Sequence, residues 1–317
     1  MPAFDFDPNA STFSLKNARF LAAACAVSYE SPTNCKAWAA ANGLDESCDF
    51  FSAKGTQGFV ARNNQIVLVT FRGTQPNKAI DWFSDVNLRP VKWDHAAGRV
   101  HQGFYLALKA IWDNPLATNT AAVLPGRLVD RGTRTVWITG HSLGGALAKL
   151  CAAQAYFVDH VPLQGLYTFG QPRVGNQDFA EAFQAAIGPR FFHLVNDRDI
   201  VPRVPFYGLG FRHCGGEIFF DSKKKMTDRG ALLETLPAAL RLALLGTQFN
   251  ALREASKMAS DAVKNGGFPG NLLEKINELM NNRENAVLGA SKALLERGTE
   301  NIADHNIRKS YEAVLKA

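Results

Sequence analysis

The chain has 317 residues, of which 46% are hydrophobic and 20% charged, enough for one large globular domain or for a domain with an addition. The net charge of +6 comes from scattered lysines and arginines with one short run, Lys223-Lys224-Lys225. It forms no aromatic-interleaved basic patch, so it argues against a nucleic-acid partner and supports at most a weak preference for anionic surfaces. No apolar run is long enough to span a bilayer. The five cysteines are an odd number without a C-x-x-C pair, which argues against zinc and thiol-redox motifs. Cys35 and Cys48 lie near enough in sequence to bridge, but free thiols are the favoured reading.

Residues 1–14 are polar and irregular and read as a loose arm. Residues 15–30 place Phe20, Leu21, Cys25 and Val27 among alanines, as in a packed helix. The apolar run Phe20 to Val27 ends in Ser28-Tyr29-Glu30, which does not resemble a cleaved leader; cellular location stays open. A second alanine-rich helix carries Trp38 and ends near Asn42-Gly43. Gly58–Arg62 and Ile66–Phe71 read as strands flanking an Asn63-Asn64 turn, and the second is apolar throughout, as a strand covered on both faces would be. Residues 75–98 hold Trp82, Phe83 and Trp93 in a polar, proline-containing connection. They form either a loop tucked onto the core or a mobile cover over an apolar site.

A helix is expected from His101 to about Val123, ended by Pro125-Gly126. Thr135–Gly140 is a strand, followed by a small-residue helix to about Asp159. Leu166–Gly170, Phe191–Val195 and Glu217–Phe220 are further strands, with a helix capped by Asn176 between the first two. Strands alternating with helices over 58–220 predict an α/β sheet with helices on both faces. Residues 221–304 carry a helical pattern with a leucine stripe (Leu232, Leu233, Leu236, Leu240, Leu244) and no strand signal. They read as a helical insert that packs on the sheet, acts as a lid, or serves as an interfacial or self-association surface.

The chain's chemistry centres on Gly140-His141-Ser142-Leu143-Gly144. This G-x-S-x-G is a weak signal alone, but an apolar strand precedes it and a small-residue helix follows, the setting of a nucleophile elbow. A serine hydroxyl needs a base, a group that orients the base, and donors for the oxyanion. In hydrolases with this elbow the acid and histidine follow the serine in sequence. Solvent exposure argues against His160 and burial in a strand against His193, which leaves His213 and His305. Asp197 and Asp199 both follow the Phe191–Val195 strand, at the carboxyl end where open α/β sheets place their sites. The apolar Ile200-Val201 after it favours Asp199. Leu143 opens the helix after the serine and offers its amide. Gly73-Thr74 follows the neighbouring central strand and offers a second donor.

Several motifs occur together and in order over roughly residues 58–220: Phe71-Arg72-Gly73-Thr74, Asp81-Trp82-Phe83-Ser84-Asp85, Val100-His101-Gln102-Gly103-Phe104, Gly140-His141-Ser142-Leu143-Gly144-Gly145, Thr168-Phe169-Gly170-Gln171-Pro172-Arg173-Val174-Gly175 and Asp199-Ile200-Val201-Pro202. Together they resemble the class 3 lipases, the fungal-lipase-like α/β-hydrolases. The resemblance implies Ser142 as nucleophile, Asp199 as acid, Thr74 and Leu143 as oxyanion donors, and a lid near 75–88 that includes Trp82 and Phe83. It implies a structural role for His213 and a catalytic role for His305. The spacing of 106 positions from Asp199 to His305 exceeds that in compact fungal members, because of the helical insert.

The expectation is therefore an α/β-hydrolase fold with a mostly parallel central sheet: a core over 1–220, a helical insert over 221–304, and a segment 305–317 that completes the core. The expected activity is hydrolysis of lipid esters, triacylglycerols first, without metal or cofactor, on a substrate presented at a lipid–water interface. Phospholipase A1 and short-chain esterase are the rivals within that chemistry. A catalytically silent interaction protein of the same fold is the rival outside it.

Overall fold

The computed structural model describes residues 4–73, 90–93, 97–112, 123–197, 199, 201–205, 210–228 and 305–316. They fold around a mixed, mostly parallel sheet of eight strands in the order β1-β2-β3-β6-β7-β9-β11-β12. The strands are β1 Ser47–Ala53, β2 Thr56–Arg62, β3 Ile66–Phe71, β6 Thr135–His141, β7 Gly165–Phe169, β9 Phe191–Asn196, β11 Gly216–Phe220 and β12 Met226–Asp228. The run from β3 to β11 is parallel, and β1, β2 and β12 pair antiparallel at its margins. A small second sheet joins β4 Pro90–Lys92, β5 Arg99–His101, β8 Gly175–Asn176 and β10 Phe211–Arg212.

The continuous apolar run of β3 has a direct cause. Val67, Val69 and Phe71 enter one core while Ile66 and Leu68 enter another on the opposite face. Successive strand side chains point to opposite faces, so a sheet covered on both sides needs apolar residues at every position. Val136 and Ile138 of β6 share the first core, and Trp137 lies in the second. The first core is closed by α3 (Gln102–Trp112, through Phe104, Leu108 and Ile111) and by α5 (Leu143–Phe157). The second is closed by α1 (Leu15–Val27), α2 (Pro32–Ala41) and the C-terminal turns Ile307–Glu312 and α7 (Ala313–Lys316). Each fully buried Val, Leu, Ile or Phe contributes roughly 1.5–3 kcal/mol.

The C-terminal turns are tied to α1 from both ends. Arg308 Nη2 meets Glu30 at 2.5 Å, and Arg19 Nε donates to the Leu315 carbonyl at 2.5 Å. This anchorage carries His305 to the carboxyl ends of the central strands. Asn176 caps α6 (Gln177–Ala186) by accepting from the Phe179 amide, as its position in the sequence predicts.

Several expectations need correction. The N-terminal arm is not loose from residue 4 onward. Phe6 is buried against Trp137 at 4.8 Å, and the Ser14 amide donates to Tyr167 Oη. Aromatic side chains spaced along a polar segment dock it onto the sheet. Strand β1 was not foreseen, because its polar and apolar residues mix at a sheet edge. The helix from His101 is described over Gln102–Trp112, residues 113–122 lie outside the described ones, and Pro125-Gly126 lie inside a short helix, α4 (Val123–Val129). Pro125 sits in its first turn, where a missing amide costs no helical hydrogen bond. β12 extends the sheet to Asp228, in a stretch where the sequence carries no strand signal. Trp93 belongs to the core, packed on Tyr105 and Phe179, and is no part of a mobile cover. The leucine stripe of the expected insert lies outside the described residues. The five cysteines are free thiols.

Candidate active site

The G-x-S-x-G turn joins β6 (Thr135–His141) to α5 (Leu143–Phe157). Ser142 adopts φ 60° and ψ −130°, a conformation that costs a non-glycine residue about 1–3 kcal/mol. Its amide donates to the Phe169 carbonyl at 2.9 Å, and its carbonyl accepts from Gly145 at 2.9 Å, which pins the strained residue. The two glycines are required by close approach. A Cβ at Gly140 would lie 2.1 Å from the Gly144 carbonyl oxygen, and one at Gly144 would lie 2.4 Å from that of Phe71. Helix and strand therefore approach at a distance only glycine allows, and the serine is lifted to the tip. Leu143, partly buried, is the first residue of α5, where amides have no helical carbonyl to meet. Ser142 is fully buried, and its Oγ has no hydrogen-bond partner among the described residues.

Asp199 follows β9 (Phe191–Asn196), and His305 opens the C-terminal turns. The structure brings them together: His305 Nδ1 lies 2.9 and 3.0 Å from the two Asp199 carboxylate oxygens, with both residues buried. Asp199 also accepts from Tyr311 Oη at 2.6 Å and from the Val201 amide at 2.9 Å. Burial alone would raise the Asp199 pKa. The adjacent His305 and the hydrogen bonds from His305, Tyr311 and Val201 outweigh it and hold the carboxyl below its ordinary value. An ionised carboxylate only accepts, so Nδ1 of His305 carries the proton and Nε2 presents its lone pair. That Nε2 is buried and has no hydrogen-bond partner among the described residues. Gly170, at φ +57°, makes room for the pair. A Cβ there would stand 2.6 Å from Asp199 Oδ2 and 2.9 Å from the His305 ring.

The structure places His213 elsewhere. Its Nε2 donates to the Pro202 carbonyl at 2.6 Å, and its ring stacks on His193 at 4.4 Å. His160 is exposed. Thr74, Trp82 and Phe83 lie outside the described residues. Among the described residues, no group of three or more His, Cys, Asp and Glu side chains could hold a metal ion, and no helix is long and apolar enough to cross a membrane. Sequence reasoning missed Tyr311 and Tyr29. Each is a tyrosine at or beside an expected terminal or helical segment, and a buried phenol needs a hydrogen-bond partner, a signal that was available.

The fold and motifs match known proteins. The family profile described as Lipase (class 3) matches residues 68–208. A lipase of Rhizomucor miehei is 33% identical over 178 residues, covering 54% of this chain and 47% of that protein. A triacylglycerol lipase of Arabidopsis thaliana is 28% identical, covering 64% and 47%. The chain thus spans about half the length of the curated relatives it matches. Among solved structures, a triacylglycerol lipase whose catalytic centre is formed by a serine protease triad superposes with a TM-score of 0.54 at 29% identity. That match covers 68% of this chain and 83% of that one.

Proposed function

Because the chain belongs to the class 3 lipase family, we propose that it hydrolyses carboxylic esters of lipids through an acyl-enzyme on Ser142. The observation that carries this reading is the buried Asp199–His305 pair at 2.9 Å, with His305 Nε2 and the strained Ser142 Oγ both unpartnered among the described residues. In this mechanism Ser142 Oγ attacks the ester carbonyl while His305 Nε2 takes its proton. His305 then protonates the departing alcohol. Asp199 keeps Nδ1 protonated and stabilises the imidazolium. Water, activated by the same imidazole, releases the acid. The Leu143 amide and Thr74 are assigned to the oxyanion; losing one such donor lowers kcat by about 100- to 1,000-fold. Trp82 and Phe83 are assigned to a lid, and the lid and insert would bring the enzyme to a lipid–water interface.

Acylglycerols are the proposed substrates, with support from the names of the relatives: a triacylglycerol lipase in Arabidopsis thaliana and a secreted mono- and diacylglycerol lipase in Fusarium solani. The test compares wild type with Ser142→Ala on emulsified triacylglycerol, on phosphatidylcholine vesicles and on p-nitrophenyl esters of two chain lengths. Fastest release from triacylglycerol, with a loss of roughly 10⁴-fold or more in Ser142→Ala, is expected. Faster release from phosphatidylcholine favours a phospholipase A1. Activity confined to the short p-nitrophenyl ester favours an esterase, and equal rates for both proteins leave only the interaction-protein reading.

A further inference from the structure

Tyr29 lies just beyond α1 (Leu15–Val27), on the far side of the elbow from Asp199, and takes no part in the mechanism above. Its hydroxyl is 2.8 Å from His141 Nδ1 and packs against Gly73. The approach is close: a Cβ on Gly73 would lie 2.4 Å from that hydroxyl and 3.0 Å from Ser142 Cβ. On the other side of its ring, His141 Nε2 lies 2.6 Å from the His305 carbonyl oxygen, and the two imidazole centroids are 4.5 Å apart with the rings tilted by 30°. One end of this chain of groups settles its polarity: the His305 carbonyl can only accept. Nε2 of His141 must therefore carry the hydrogen, and Nδ1 must accept from Tyr29. One relay runs from Tyr29, which packs against Gly73 after β3 (Ile66–Phe71), through His141 to the backbone of His305. Burial, aided by His305, holds the His141 pKa down to about 3, so the imidazole stays neutral as the relay requires.

We propose that Tyr29 is a positioning residue: it locks His141 in the Nε2–H tautomer and so couples the placement of His305 to the Gly73 loop. The proposal rests on the ester-hydrolase reading for its effect on turnover, but not for the relay itself. Without the phenol, His141 Nδ1 loses its partner in a buried site. The Nδ1–H tautomer then becomes accessible and would leave the His305 carbonyl without a donor. A displacement of His305 of a fraction of an ångström lowers the rate, because the proton transfer depends on geometry.

Two measurements test it. The ¹⁵N-resolved imidazole spectrum reads the tautomer without any substrate. Wild type is expected to show His141 as Nε2–H, and Tyr29→Phe a mixture with Nδ1–H; a wild-type Nδ1–H form overturns the relay. A kinetic cycle reads the consequence. Tyr29→Phe should lower kcat roughly ten- to hundred-fold with KM little changed. In the His141→Gln background, where the amide nitrogen donates to the His305 carbonyl whatever its neighbour, the same substitution should cost less than about three-fold. Equal losses in both backgrounds, or no loss in either, overturn the positioning role. If wild type and Ser142→Ala hydrolyse esters equally, the hydrolase reading fails, and the tautomer spectrum still decides the relay.

Discussion

Two buried clusters of imidazoles flank the central strands, and they are built on opposite electrostatic plans. At one, His305 faces the Asp199 carboxylate at 2.9 Å and packs at a tilt on a neutral His141. At the other, His213 and His193 stack on one another beside Lys149 and Arg173. Burial lowers the pKa of His193 to about 3, and Lys149 and Arg173 add to the effect. Burial also pushes His213 well below its ordinary value, reinforced by His193, Arg173 and Lys149. A general base must accept a proton during turnover, so it needs an anion that stabilises the charged form. Among the described residues, only the first cluster supplies one. The second is arranged so that its imidazoles stay neutral, which suits a structural prop under Pro202, three residues beyond Asp199. Burial and a histidine therefore do not make a site; the sign of the neighbouring charge does.

The largest effect expected from breaking this contrast is in Asp199→Asn. The amide nitrogen can donate to His305 Nδ1, which places the hydrogen on Nε2, where it cannot take the proton of Ser142. A fall in kcat of about 10⁴-fold is expected, with KM little changed and the fold intact by circular dichroism. A fall of less than ten-fold contradicts the role given to the carboxylate.

The second cluster predicts a different signature, in acid stability. The unfolded chain binds protons at His193 and His213 near their ordinary value of 6.5, whereas the folded protein does not until far lower pH. The unfolded state thus holds more protons in that window. The stability these residues contribute is complete above about pH 6.5 and is lost as pH falls through their folded-state values, about 3 for His193 and well below the ordinary value for His213. Glutamine at 213 keeps a donor for the Pro202 carbonyl and does not titrate. Urea melts of His213→Gln at about pH 7 and about pH 5 should show a shallower loss, by up to ~1.4 kcal/mol per pH unit. An unchanged slope contradicts the assignment.

The smallest effect is expected at Lys149. It is fully buried and donates to Cys214 Sγ at 3.0 Å, with its ammonium 5.0, 5.2 and 5.8 Å from the centroids of Phe183, Phe191 and Phe179. No carboxylate pairs it among the described residues. Lys149→Met keeps the apolar stem and removes the desolvated charge, so unfolding free energy should be unchanged or raised by about 1 kcal/mol. A loss above ~2 kcal/mol shows that the cation–aromatic contacts outweigh its desolvation.

What the sequence disclosed follows the same physical divide. The α/β order, the central strands and the elbow were legible, because apolar runs and close-approach glycines at Gly140 and Gly144 are local signals. The serine, the aspartate loop and the two rival histidines were legible as candidates. Choosing between His213 and His305 depends on which lies beside Asp199, and His305 lies 106 positions along the chain from that carboxylate. Spacing carries no information on such a contact, and the resemblance to class 3 lipases supplied the preference. Strand β12 was hidden because its pairing with β11 is set by the sheet and not by its own three residues. The packed N-terminal arm was hidden because Phe4, Phe6 and Phe13 stand in a polar segment whose docking surface is made by Phe20, Trp137 and Tyr167. Tyr29 and Tyr311 were visible as residues but not as partners, since each acts across the fold on a group far away in sequence.

The central claim is that His305 exchanges the proton of Ser142 and His213 does not. The direct measurement is kcat for ester hydrolysis by His305→Asn and His213→Gln, each with a thermal melt to establish that it folds. The first substitution keeps a donor for Asp199 and the second a donor for Pro202, so neither strands a buried group. His305→Asn should lose roughly 10⁴-fold or more while His213→Gln stays within about ten-fold of wild type. Loss of turnover in His213→Gln alone, with both proteins folded, would contradict the account.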